Sequence, residues 1–269
     1  MNHSKQPRPG REEERSYLLE DPGKTDRAKG TLLHLSSKCT IANYVRFADE
    51  VKSWVVSGRV LDWGCGSGHM SWLLDRRGLE VVSYDLEDKR LEKFIRPDIP
   101  FHRAPNDRDL PFPDASFDGV LSCGVLEHVP DERYSLAEIW RILRPGGCLF
   151  IYHLPQAYAY TEFINRMRGL WYHRRRYTVR SAVNLFREAG FDVATCRRSN
   201  LFPKNLTGLP SQARDAYNRL SRHVMAIEGV LTGVPVLNWL CHSLEFVLYR
   251  SESPLLAGGI EGGRRLCDP

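Results

Sequence analysis

The chain has 269 residues, 42% hydrophobic and 26% charged, with a formal net charge of +5, a composition that suits one large globular domain and excludes a disordered or fibrous chain. Its basic residues are spread through tails and loops rather than gathered in a stripe, which argues against nucleic acid as a partner. The seven cysteines (Cys39, Cys65, Cys123, Cys148, Cys196, Cys241 and Cys267) are odd in number, far apart and without a C-x-x-C pair, a pattern that disfavours a zinc site or disulfide framework and points to a reducing, cytoplasmic setting.

Residues 1–30, rich in Lys, Arg, Glu, Gly and Pro, read as a flexible tail, and 1–16 show no apolar stretch of a secretory signal. From 40 to 56 the apolar residues Ile41, Tyr44, Val45, Ala48, Val51 and Val55 recur at helical spacing. Strand-like runs then occupy 60–63, 81–84, 101–104, 120–123 and 148–153, with helical patterns at 69–77, 88–95 and 132–143. That alternation predicts an α/β, Rossmann-like, doubly wound parallel sheet with its ligand at the carboxyl ends of the strands. Residues 156–177 form an aromatic and arginine-rich insertion, and Thr178 is placed to cap a helix ending at Gly190. Two final strands are expected at 191–197 and 244–249, separated by a segment, 201–242, with helical periodicity around 216–231. These two insertions read as lid or wall within one domain spanning 31–250, followed by a tail at 251–269. The longest uncharged run, 229–244, is too short to span a membrane and contains Pro235, Asn238 and His242.

The stretch 59–68, RVLDWGCGSG, is an apolar strand breaking into a glycine turn. A dinucleotide-binding turn has the spacing G-x-G-x-x-G; here Gly64, Gly66 and Gly68 are followed by His69 where the third glycine of that pattern falls. Asp62 stands just before the turn, where a carboxylate repels pyrophosphate and favours a cationic ligand. Asp85, ending VVSYD, is placed to accept hydrogen bonds from ribose hydroxyls.

Together with Asp62, the glycine spacing resembles motif I of the class I S-adenosylmethionine (SAM)-dependent methyltransferases. The stretch 106–130, NDRDLPFPDASFDGVLSCGVLEHVP, and the later LRPGGCLFIYHLP resemble the type 11 family and the ubiquinone-biosynthesis methyltransferases, over about 60–155. The resemblance implies a seven-stranded, mostly parallel sheet with an antiparallel last strand and a helical lid. It implies SAM bound by Asp62, Gly64, Cys65, Gly66, Gly68, Asp85 and Leu86, with Asn106 or Asp107 at the adenine and Cys123 by the sulfur. Quinone O-methyltransferases of this kind have counterparts of Glu127 and His128 and a further Glu where this chain has Gly124, so no metal ligands are assigned.

His128 and His153 are the candidate general bases for methylation of a hydroxyl, each weighed against a purely structural role. The run at 173–178, HRRRYT, resembles a segment leading into a helix in family members, and Tyr158, Tyr160, Phe163, Trp171 and Tyr172 are candidate walls for an apolar acceptor. The expected activity is methyl transfer to a small molecule such as a secondary metabolite, quinone, lipid or sugar-linked intermediate, an apolar or lipid-like acceptor being admitted. Two alternatives stay open: an NAD-dependent or sugar-nucleotide-modifying enzyme, disfavoured by Asp62 and the missing third glycine, and a non-catalytic SAM-binding regulator.

Overall fold

The computed structural model describes residues 10–19, 33–169, 172–204, 206 and 210–251. Seven strands, β1 Arg59–Trp63, β2 Glu80–Asp85, β3 Phe101–Arg103, β4 Phe117–Cys123, β5 Leu143–Pro155, β6 Phe191–Ser199 and β7 Ser243–Arg250, form one sheet in the order β3-β2-β1-β4-β5-β7-β6. β1 through β5 pair in parallel, and β7 runs antiparallel between β5 and β6. The central strands are buried on both faces because helices cover both, so their sequences read as near-continuous apolar runs. All seven expected strands are present, with the observed ends reaching further at β4, β5 and β6.

The helices are α1 Arg11–Leu18, α2 Lys38–Trp54, α3 His69–Arg76, α4 Glu132–Ile142, α5 Tyr160–Met167, α6 Val179–Glu188, α7 Ser211–Arg219, α8 Ser221–Leu231 and α9 Pro235–Asn238. Caps set their starts as sequence chemistry dictates: Ser37 accepts from Thr40 N on α2, Asp131 from Arg133 and Tyr134 N on α4, and Thr178 from Ser181 N on α6. One apolar core lies on the α4/α6 face of the sheet, around Phe117, Ile139, Phe186 and Phe246. The other lies under α2 and α3, around Phe47, Leu73, Phe150 and Tyr152, with the Phe47 and Tyr152 rings stacked at 3.9 Å.

Two expectations are corrected. Residues 11–18 are not a flexible tail: Leu18 is fully buried, Tyr17 stacks on Trp72 at 4.8 Å, and Glu14 accepts from Arg77 at 2.6 Å and Arg76 at 3.1 Å. The rest of the N-terminal stretch, 1–9 and 20–32, lies outside the described residues, as does 252–269. The second correction is at 88–95, where the expected helix is only a short 3-10 turn, Glu92–Phe94. Asp88 instead accepts from the Arg90 backbone N–H and grips its guanidinium, and Leu91 N donates to Ser67 O, so local side-chain bonds outcompete the helix.

Glu245 ties the layers together. It is fully buried on β7, yet accepts from both Arg46 nitrogens on α2 at 2.9 and 2.7 Å and from Arg197 on β6 at 3.3 Å. Burial raises its pKa, but the two arginines and Ser199 outweigh that and hold it below the usual carboxylate value. The stability this supplies is present above the unfolded-state carboxylate pKa and is lost as pH falls through the lower folded value. Glu245→Ala is expected to lower the unfolding free energy at pH 7 by about 2–3 kcal/mol, below the full cost of an orphaned buried pair because both guanidinium groups can rehydrate. Urea denaturation checks this, and a loss under about 0.5 kcal/mol, typical of surface changes, would refute it.

Candidate active site

The sheet order reverses between β1 and β4, so the loops leaving these strands open a crevice at their carboxyl ends. The glycine turn after β1 and the loop after β4 meet there. Gly64 has φ +74°, and a Cβ on it would lie 2.5 Å from Val125 Cγ2, so only glycine lets the two loops close on each other. Gly66, at φ +50°, has nothing within 4 Å of where its Cβ would stand, leaving one side of the turn open to a ligand. Gly68 starts α3. Asp85 joins the first two loops: it accepts from Gly66 N at 2.8 Å and from Leu86 N at 2.7 Å, while the Leu86 side chain is exposed. A carboxylate has about four acceptor positions, so two remain for hydroxyl donors.

Asp62 lies beneath the turn, only 2% exposed. Ser71 Oγ on α3 donates to it at 2.6 Å and in turn meets Ser83 Oγ on β2 at 2.7 Å. Burial pushes its pKa up to about 7 against the opposing Ser71 bond, and Asp85 nearby raises it further. The buried Asp62 carboxylate therefore favours positive charge above it without lining the open surface. Cys65 is buried next to it, its thiol pushed up by burial and then by Asp62 and Asp85. Cys123 ends β4 with its thiol likewise raised by burial first.

Several residues that the sequence did not single out complete this side. Tyr44 on α2 packs its ring 4.3 Å from His69 and 5.8 Å from His153. His69 Nδ1 meets Ser67 Oγ at 2.7 Å, and its buried Nε2 has no hydrogen-bond partner among the described residues. Burial, then neighbouring histidines, holds its pKa well below the ordinary value, and His34 is lowered by burial to about 4. These groups are thus uncharged at neutral pH.

His153 stands where β5 loses register with β7, at φ +60°, an unusual conformation for a non-glycine residue that re-aims its side chain. Its Cβ is 3.9 Å from where a Cβ of Gly124 would be, so it does reach the loop after β4. Burial lowers its pKa to about 3, which runs against the general-base role expected of it. Asn200, itself at φ +64°, explains the ring's hydrogen bonding. Its Oδ1 accepts from Asn43 Nδ2 at 2.9 Å, so Nδ2 faces Ser243 Oγ at 3.1 Å and His153 Nδ1 at 3.2 Å. His153 Nδ1 is then the acceptor, and the proton sits on the buried Nε2.

His128 lies in a different setting. A cavity of about 880 Å³ is lined by Glu127, His128, Tyr172, His173, Arg174 and Arg175, among others. His128 Nε2 is 3.7 Å from Glu127 Oε1; burial, then His173 and Arg175, lowers the His128 pKa, while burial raises buried Glu127 to about 7. Glu162 on α5, 1% exposed, accepts from both the backbone N–H and Nδ1 of His173 at 2.8 Å. Donor atoms of Glu127, His128 and His173 lie within 4.8 Å of one another, as do those of Glu162, His173 and His242. Either set offers the mixed nitrogen and oxygen donors that suit a borderline divalent ion rather than a hard, all-oxygen one. His173 is the residue that sequence missed here, although the HRRRYT run contained it.

Two further residues of that run hold the neighbouring loop. Arg175 donates to Val129 O at 2.6 Å, and buried Tyr177 donates to Glu132 at 2.6 Å, clamping the loop that carries Glu127 and His128. Of the expected aromatic walls, only Tyr172 lines this cavity among the described residues; Tyr158 and Phe163 are exposed, Tyr160 donates to Leu201 O at 3.0 Å, and Trp171 lies outside the described residues. Asn106 organises its own loop, Oδ1 accepting from Arg108 and Asp109 N at 2.9 and 2.8 Å, and Asp107 beside it is exposed.

The raised carboxyls of Asp62 and Glu127 have a measurable consequence. A folded pKa above the unfolded value means stability is fully present below about pH 4 and is lost as pH rises to about 7. Asp62→Asn is expected to remove its share of that slope, gaining up to about 4 kcal/mol relative to the parent between pH 4 and pH 8 (about three pKa units). Denaturation curves at stepped pH measure it; identical slopes for the two proteins would refute it.

A family model described as a methyltransferase domain matches residues 61–151, from β1 into β5. A ubiquinone biosynthesis O-methyltransferase of Xanthomonas oryzae pv. oryzae is 33% identical over 138 residues, covering 45% of this chain and 56% of that protein. A demethylmenaquinone methyltransferase of Renibacterium salmoninarum is 37% identical over 150 residues, covering 49% and 63% respectively. The chain thus spans between about half and two thirds of the length of these curated relatives. The crystal structure of Burkholderia thailandensis 1,6-didemethyltoxoflavin-N1-methyltransferase, with that compound and S-adenosylhomocysteine bound, shares the fold at a TM-score of 0.51 and 20% identity, covering 78% of this chain and 79% of that one. The matched methyltransferase domain thus runs from β1 into β5 and takes in the glycine turn, Asp85 and the loop that carries Glu127 and His128.

Proposed function

We propose that the protein transfers the methyl group of SAM to a hydroxyl of a small, quinone-like or lipid-like acceptor. The observation that carries this reading is the closure of the glycine turn on the loop after β4, which sets Gly66 and Asp85 beside the loop bearing Glu127 and His128. Two relatives with quinone-pathway names, one of them an O-methyltransferase, support the acceptor class. The odd, scattered cysteines support a reducing, cytoplasmic setting, and no helix among the described residues is long and apolar enough to cross a membrane.

The cofactor supplies a methyl group already electrophilic on a sulfonium; the protein's task is alignment, exclusion of water and management of one proton. Open Gly66, the buried charge of Asp62 and the two remaining acceptor positions of Asp85 suit a ligand with cationic centres and a ribose. The uncharged imidazoles of His69 and His153 add no repulsion towards that cation. The acceptor would enter the cavity beside Glu127 and His128. As the acceptor oxygen takes the methyl group, its proton passes to His128, whose lowered pKa keeps the ring neutral and receptive at pH 7. His153, with its proton held on Nε2, is suited to donate a hydrogen bond and not to act as the base. Asn106 is read as shaping the adenine loop, leaving Asp107 as the exposed carboxylate there.

Calorimetry should show the protein binding S-adenosylhomocysteine, and absence of binding by either SAM or its product would sink the reading. With catechol- and phenol-type acceptors and SAM labelled in the methyl group, His128→Ala is expected to lower kcat by about 10²–10⁴-fold, the usual worth of a positioned base. Its Kd for S-adenosylhomocysteine should stay within about twofold of the parent. The parent's rate should climb with pH up to about 7 as His128 and Glu127 lose protons. A flat profile, or an active His128→Ala, would assign the proton elsewhere.

A further inference from the structure

On the α6 side of the sheet, a second cavity of about 990 Å³ shares no lining residue with the first. Arg180 and Arg187 of α6, Arg197 and Arg198 of β6, and Trp239 line it, and no Asp or Glu does. Arg197 is engaged by Glu50 and Glu245. Among the described residues no carboxylate pairs with Arg180, Arg187 or Arg198, and Arg198 instead lies over the Trp239 ring at 5.8 Å. Three guanidinium groups held near one cavity without counter-charge make a site for anionic oxygens.

The wall of this cavity continues into the uncharged run 229–244. Five apolar side chains of that run are exposed: Val236 is 78% exposed, Val230 72%, and Trp239, Val234 and Leu240 between 41% and 45%. Tyr158, also exposed, stacks on Trp239 at 5.9 Å. Gln156 Nε2 donates to Trp239 O, fastening the segment to the end of β5. Exposed apolar residues around a tryptophan, bordered by unpaired arginines, are the two signals that together hold a protein at a bilayer surface, each being weak alone.

We propose that this face docks on an anionic lipid bilayer, with Val230, Val236 and Trp239 entering the interface and Arg180, Arg187 and Arg198 taking the headgroup phosphates. The charge complementarity selects this occupant over a second copy of the chain, whose matching face would set arginines against arginines. The site is separate from the methyl-transfer reading, and its test uses no turnover.

The test is sedimentation of the full chain with vesicles of phosphatidylglycerol and phosphatidylcholine, or of phosphatidylcholine alone, at 0.05 and 0.5 M NaCl. Expected is binding to the anionic vesicles at least tenfold tighter than to neutral ones, falling steeply with salt. Arg180→Glu with Arg187→Glu, both exposed positions, should weaken it at least tenfold, as should Val230→Asp with Val236→Asp. Unchanged melting curves and S-adenosylhomocysteine binding would show that the variants fold. Equal affinity for neutral and anionic vesicles, indifference to both variant pairs, or a dimer that the Val230→Asp, Val236→Asp pair dissociates while vesicles fail to bind, would each overturn the proposal. Release by 5 mM inorganic phosphate but not by 5 mM chloride would overturn it too, marking a soluble anion as the ligand.

Discussion

A buried carboxylate with a hydroxyl beside it and, among the described residues, no ion-pair partner organises this molecule. Asp62 is held under the glycine turn by Ser71, itself tied to Ser83, so β1, β2 and α3 are joined through one carboxyl that burial pushes toward its neutral form. The arrangement is unfavourable for the empty fold, because desolvation penalises the ionised form. It becomes favourable when positive charge settles above it, since a low-dielectric setting strengthens attraction as much as it penalises isolation. The open face of Gly66 and the neutral state of His34, His69 and His153 belong to the same design.

The glycine-turn half of the candidate site was legible in sequence because it is local. Asp62, Gly64, Gly66 and Gly68 lie within seven residues, and the constraint on each is set by a turn between a strand and a helix. The strands and their parallel pairing followed from alternation of apolar runs, and the cap at Thr178 from residue type alone. Sequence went astray where tertiary contacts decide the outcome. Residues 11–18 look polar, yet Glu14, Tyr17 and Leu18 find Arg77, Trp72 and the core under α3. Residues 88–95 look helical, yet Asp88 and Arg90 satisfy one another locally.

The other half is assembled from remote pieces. Asn43, Asn200 and Ser243 come from α2, the end of β6 and the start of β7, and only their meeting determines which nitrogen of His153 carries the proton. Glu162 and His173, separated by the end of α5 and a loop, are joined by two hydrogen bonds before they reach Glu127 and His128. No periodicity marks such residues. His153 illustrates the difference: its place at the end of a strand was readable, while its backbone at φ +60° and its buried ring were not.

The two histidines therefore divide along the axis of burial. His153 is wrapped by Tyr44, Phe47 and Asn200, so adding a second proton to its ring would place an uncompensated charge in the interior. His128 stands at a cavity mouth with a buried carboxylate 3.7 Å away, where a proton gained by the ring is stabilised by Glu127 and can leave to water. In the proposed methyl transfer, a site that takes a cationic methyl donor must not gather further positive charge near the sulfonium. It must nevertheless receive a proton from the acceptor. Placing an imidazole that cannot charge on β5 and one that can at the cavity mouth after β4 meets both requirements with two separate elements.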